Sequence, residues 1–144
     1  MTCLLHHLRG DDSVSGLIAS LRDGRRTVVT GSAGSLCSLM AGAVADALAR
    51  VVVLVLAHID DADEAVDELA SQGVPAVRFP ALEVLPGETG VALDLFAERL
   101  SVERLLLQRA STRGALVVAA PIQALMQSIP APDRLDGLTR VVSN

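Results

Sequence analysis

Lysine is absent from this chain, and all 12 basic residues are Arg. A nucleotide-hydrolysing phosphate loop uses a Lys to reach the terminal phosphates, so any site of that kind here lacks its key residue. Trp and Tyr are also absent, and Phe79 and Phe96 are the only aromatic rings besides histidine. Base stacking on side chains therefore has almost nothing to work with. The formal net charge is −5, the wrong sign for gripping a phosphate backbone. Cys3 and Cys37 are too few for a disulfide framework, and no Cys/His spacing suggests a metal site. The longest apolar run, Val51 to Ala57, falls short of a membrane span. Met1 to His7 has neither a basic start nor a long apolar stretch, which makes it a poor signal peptide. These absences lead to the expectation of a cytoplasmic protein with no membrane partner. The all-Arg usage reads as genomic composition bias.

What is present is apolar. Hydrophobic residues make up 51% of 144 positions, enough for one domain with a core. Helical spacing predicts a first helix over Ser13–Arg22, with Ser13 as its cap. Thr27-Val28-Val29-Thr30 reads as a short buried strand, and Ser35–Ala49 as an apolar helix. Val51–Ala57 lacks alternation, which predicts a strand covered on both faces. Further helices are expected over Asp61–Ser71 and Val91–Arg109, with strands at Pro75–Phe79 and Gly114–Ala119. Pro80–Gly90 between them is irregular. A last helix runs from Pro121 through Gln127, and a weak strand candidate covers Leu138–Val142. Strands alternating with helices predict an α/β fold, a parallel sheet with helices on both faces.

Gly31, Ser32, Gly34 and Ser35 form a small-residue loop between the first expected strand and the following helix. Proteins use that layout to hold phosphate on exposed amides. Aligning Ser35 with the magnesium-side hydroxyl puts Gly34 at the lysine position, Ala33 at the preceding glycine and Val28 at the first glycine. The loop is then a vestigial nucleotide site or a tight turn with Ser35 as helix cap. A second reading is a dinucleotide site, since the region resembles the opening of short-chain dehydrogenases. Their catalytic pair is a Tyr and a Lys, so only a non-catalytic relative fits. No catalytic residue and no metal ligand is assigned. His58, near Asp60 and Asp61, reads as a loop before an acid-capped helix, and His6-His7 as a frayed terminus. Cys37, Met40 and Met126 are expected in the core. The acidic set Asp60, Asp61, Asp63, Glu64, Asp67 and Glu68 reads as a solvated helix face. Arg99 and Glu103 are expected to pair at i,i+4 on a solvated face.

The later part of the chain carries a family resemblance. Phe79-Pro80-Ala81-Leu82-Glu83-Val84-Leu85-Pro86 resembles the F-P-x-W-E-x-L-P segment of bacterial transcription-repair coupling factors. Asp94, Arg99 and Leu100 match that family's D-x-x-x-x-R-L helix. Gly114 to Val118, Pro121, Ala124-Leu125-Met126-Gln127 and Pro130 are similar to its G-V-L-V-V-x-P-V-x-x-L-M-Q-x-x-x-P run. Leu82 stands where the family usually has Trp, and Gly87 where it has Tyr. The segment from Pro86 to Asp94 is one residue short and lacks the S-P-H-Q sequence.

The resemblance implies the UvrB-like N-terminal subdomain, a helicase-like (RecA-like, P-loop NTPase type) fold with a degenerate phosphate loop. It implies a flexible stretch over 1–12, the α/β subdomain over 13–128, and the start of the UvrA-binding domain over 129–144. The segment itself would need no cofactor, ATP and magnesium belonging to the parent's motor domains. The implied partners are UvrA through the adjacent domain, and RNA polymerase and DNA through C-terminal domains. The parent would be an ATP-dependent DNA translocase, and this segment a non-catalytic scaffold. A truncated UvrB-type helicase piece is a third reading, and the missing lysine argues against it.

Overall fold

A computed structural model describes residues 4–31, 33–83, 90, 92–110 and 112–138. Three parallel strands form the sheet: β1 (Val51–Leu56), β2 (Ala76–Arg78) and β3 (Leu116–Pro121), in the order β1-β3-β2. Val51 pairs with Leu116 and Leu56 with Pro121, while Ala76 pairs with Val117. The helices are α1 (Leu4–Arg9), α2 (Asp12–Arg22), α3 (Ser35–Leu48), α4 (Ile59–Ser71), α5 (Leu93–Ala110), α6 (Ile122–Leu125) and α7 (Pro132–Leu138).

Helices cover both faces of the central strand. Val117 and Ala119 pack against α3 and α4 through Leu39, Ala43, Ala65 and Leu69. Leu116, Val118 and Ala120 face the other way, onto Val102 of α5 and Ala124 of α6. The side chains alternate with the pleat of the strand, and the placement of helices on both faces follows from chain direction. The path from β1 through α4 skips outward to β2, and α5 then returns it inward to β3. Keeping one crossover hand requires those two helices on opposite faces. Leu69 and Val117 are fully buried, each worth about 1.5–3 kcal/mol on leaving water.

Several expectations are corrected. Thr27–Thr30 is not a strand; it is exposed irregular backbone, with Val28 at 84% exposure. Val29, Thr30 and Gly31 instead line a cleft with Val14, Leu17 and Met40. β propensity needs a hydrogen-bonding neighbour to become a strand, and a helical groove offers none. β1 is not covered on both faces either. Val51, Val53 and Val55 are 36%, 50% and 49% exposed. β1 is an edge strand, and the side of the sheet that α5 covers at β3 is left open at β1.

At the N-terminus, Leu4–Arg9 is helical where a flexible stretch was expected. Leu5 is buried in the main core, and Arg9 pairs with Asp46 of α3. Asp11, not Ser13, caps α2. Its Oδ1 accepts from the Ser13 and Val14 amides at 2.8 and 3.2 Å, which holds its carboxyl below the ordinary value. Met126 is 82% exposed rather than core, because α6 ends at Leu125. Leu138 closes α7, and the remainder of the expected strand lies outside the described residues. Leu135 of α7 is buried.

Candidate functional site

The glycine loop was the first candidate. Gly34 is the N-cap of α3, with φ 58° and ψ −138°, a conformation that strains any residue with a Cβ. It contributes no side-chain cap, and Ser35 is the first helical residue rather than the cap. Gly31 also has positive φ, at 84°, while Ser32 lies outside the described residues. The cleft beside this helix start is lined by Gly34, Ser35 and Ser38, and by Asp61, Glu64 and Glu68 of α4. An anion entering there meets three carboxylates. Their repulsion opposes the attraction of the positive end of the α3 dipole. Among the described residues, nothing basic lines this cleft.

The second candidate lies on the opposite face, where the segments that carry the family resemblance meet. Arg99 of α5 is 1% exposed. Its Nη1 donates to the Pro80 carbonyl at 2.9 Å and its Nη2 to the Ala124 carbonyl at 3.0 Å, with a longer bond to Gln127 O at 3.4 Å. The guanidinium carbon stands 4.2 Å from the centroid of the Phe79 ring, a cation–π contact. Gln127 completes the clamp. Its Oε1 accepts from the Leu82 amide at 2.8 Å, and its Nε2 donates to the Leu82 carbonyl at 2.9 Å. A side-chain amide thereby imitates a neighbouring strand for the chain leaving β2.

Glu103 is also buried, with Oε1 3.5 Å from Arg99 Nε. Neither carboxylate oxygen has a hydrogen-bond partner among the described residues. Burial pushes the Glu103 carboxyl above its ordinary value, opposed by the nearby guanidinium. Burial lowers the Arg99 value, and Glu103 opposes that shift. The expectation of a solvated pair is overturned. Leu95, Arg99, Val102 and Leu106 follow one helical stripe, so the periodicity already pointed Arg99 toward the core.

A third cluster joins α4, β2 and α5. Arg78 Nε and Nη2 donate to Glu98 at 3.1 and 2.8 Å, and its Nη1 donates to both oxygens of Asp63 at 2.9 and 3.1 Å. The Glu98 hydrogen bond is the main reason the Arg78 value is raised. Asp63 is therefore bonded and not simply solvated. His58 is exposed; its amide donates to Asp61 Oδ2 at 3.3 Å, and this bond closes the start of α4. Cys37 and Met40 are half-buried on α3. Glu83 is exposed, and 84–89 and 91 lie outside the described residues.

Among the described residues no group of His, Cys, Asp and Glu is placed to hold a metal ion, and no helix is long and apolar enough to cross a membrane. No family model, curated protein or solved structure matches the chain.

Proposed function

We propose that this chain is a non-catalytic scaffold module of a transcription-repair coupling factor, the UvrB-like N-terminal part with a degenerate P-loop-type, RecA-like fold. One observation carries the reading. Phe79, Pro80, Leu82, Arg99, Ala124 and Gln127 come from three separated segments, each resembling that family, and they meet in one node centred on the buried Arg99. A node of that kind fixes backbone and offers no reacting group to a substrate. The carboxylate-lined cleft at the glycine loop supports the same reading, because it disfavours a nucleotide phosphate there. In this role the segment presents the adjacent UvrA-binding domain. ATP hydrolysis, polymerase contact and DNA translocation belong to other parts of the parent.

The test is genetic and biochemical. Disrupting the gene should abolish the preferential repair of transcribed strands after ultraviolet damage, and unchanged strand bias would refute the assignment. Magnesium-dependent ATP binding by the purified chain, lost on Ser35→Ala, would instead establish the loop as a working nucleotide site.

A further inference from the structure

Arg50, Arg109 and Arg113 converge on one cleft at the end of the sheet where β1 and β3 begin. Its volume is about 300 Å³, and Thr112 and Gly114 complete the wall. Among the described residues no carboxylate lines it. Four arginines elsewhere in this net-acidic protein are matched to acids: Arg9 with Asp46, Arg25 with Asp23, Arg78 with Asp63 and Glu98, Arg99 with Glu103. Among the described residues none of the three cleft arginines has such a partner.

The arrangement has a local cause. Residue 50 follows the end of α3, and Arg109 lies in the last turn of α5; cations are favoured near the negative ends of helix dipoles. That accounts for one guanidinium per helix end. It does not account for Arg113, which lies in the connection to β3 and shares the same cleft. Backbone bonds fix the wall: the Gly114 amide donates to Ala49 O at 3.2 Å, and the Leu116 amide donates to Arg50 O at 3.4 Å. Arg109 Nη1 reaches Ala115 O at 3.5 Å, and a Cβ on Gly114 would lie 2.9 Å from that same nitrogen. The glycine leaves the space that the guanidinium fills.

We propose that this cleft binds a small ligand through a phosphate or pyrophosphate group. Three guanidiniums without a counter-charge call for a multiply charged anion, and a single carboxylate would neutralise only one of them. The planar guanidinium fork matches phosphoryl oxygens two at a time, and the Thr112 hydroxyl adds a further donor. The cleft lies at the opposite end of the strands from the glycine loop, so this binding is independent of that loop and of the scaffold reading.

The experiment is isothermal titration of the full chain, without magnesium and at constant ionic strength, with inorganic pyrophosphate and with ADP. Saturable binding of one ligand per chain is expected for at least one of them. Tighter binding of pyrophosphate identifies a free phosphate ligand, and tighter binding of ADP a nucleotide-borne one. The exposed pair Arg50→Gln and Arg113→Gln, introduced together, should weaken binding by roughly ten-fold or more. Arg25→Gln with Arg26→Gln, and Ser35→Ala, should leave it unchanged. Circular dichroism and melting of the double variant establish that it is folded. No saturable binding of either ligand, or equal affinity in the folded double variant, would overturn the proposal.

Discussion

Replacing Arg99 by Met removes a charge from the core and leaves Glu103 there alone. The methionine fills similar space without donors. Two short bonds to the Pro80 and Ala124 carbonyls are lost, as is the contact with the Phe79 ring. The larger effect is the orphaned carboxylate, since Glu103 has no described hydrogen-bond partner and Arg99 is its described counter-charge. Removing one member of a buried ion pair costs about 3–5 kcal/mol at neutral pH, a large part of a domain's whole stability. Urea denaturation at pH 7 and pH 5 measures it. Burial raises the native Glu103 value even with Arg99 present, and losing Arg99 raises it further. The native state then takes up a proton at a pH where the unfolded chain, with a value of about 4.3, does not. Stability of the variant should thus rise as pH falls through that raised value, so the deficit at pH 5 is smaller than at pH 7. Adding Glu103→Leu removes the lone charge and should recover part of the loss. Glu103→Gln alone should cost less than Arg99→Met, because Arg99 keeps its carbonyl acceptors. A deficit below about 1 kcal/mol for Arg99→Met, or a double variant no more stable than the single, would refute the account of a buried, coupled pair.

Further perturbations test other parts of the fold. Gly34→Val should lower stability by roughly 1–3 kcal/mol, chiefly through backbone strain, because no described residue beyond its chain neighbours comes within 4 Å of an added Cβ; an unchanged melting temperature would mean the turn relaxes freely. Ala49 is the αL residue that ends α3, with φ 48°, so Ala49→Gly should stabilise by up to about 1 kcal/mol in thermal melts. Gln127→Glu replaces a donor to the Leu82 carbonyl with a carboxylate, and should cost about 1–3 kcal/mol while speeding hydrogen exchange of the Leu82 amide. A Cβ on Gly42 would lie 2.7 Å from the fully buried Leu69 side chain, so Gly42→Ala should cost about 1–3 kcal/mol by denaturant unfolding; an unchanged midpoint would mean Leu69 shifts without cost.

The sequence by itself determined the alternation of helices with parallel strands. That signal is local: apolar spacing near 3.6 over 35–48 and 59–71, and unbroken apolar runs at 51–56 and 116–121. It also left the chain without a lysine, which no fold can restore. It did not determine which strand is central. Val51–Leu56 and Leu116–Pro121 read alike as apolar runs, and only the order β1-β3-β2 makes one an open edge and the other fully buried. Nor could it decide that Thr27–Thr30 stays out of the sheet, because strand formation depends on a partner that propensity does not contain. The pairing of Gln127 with Leu82, and the meeting of Arg50 with Arg109 and Arg113, depend on contacts between residues far apart in sequence. Tertiary structure alone decides those, because side chains meet only after helices and sheet have closed the distance between them.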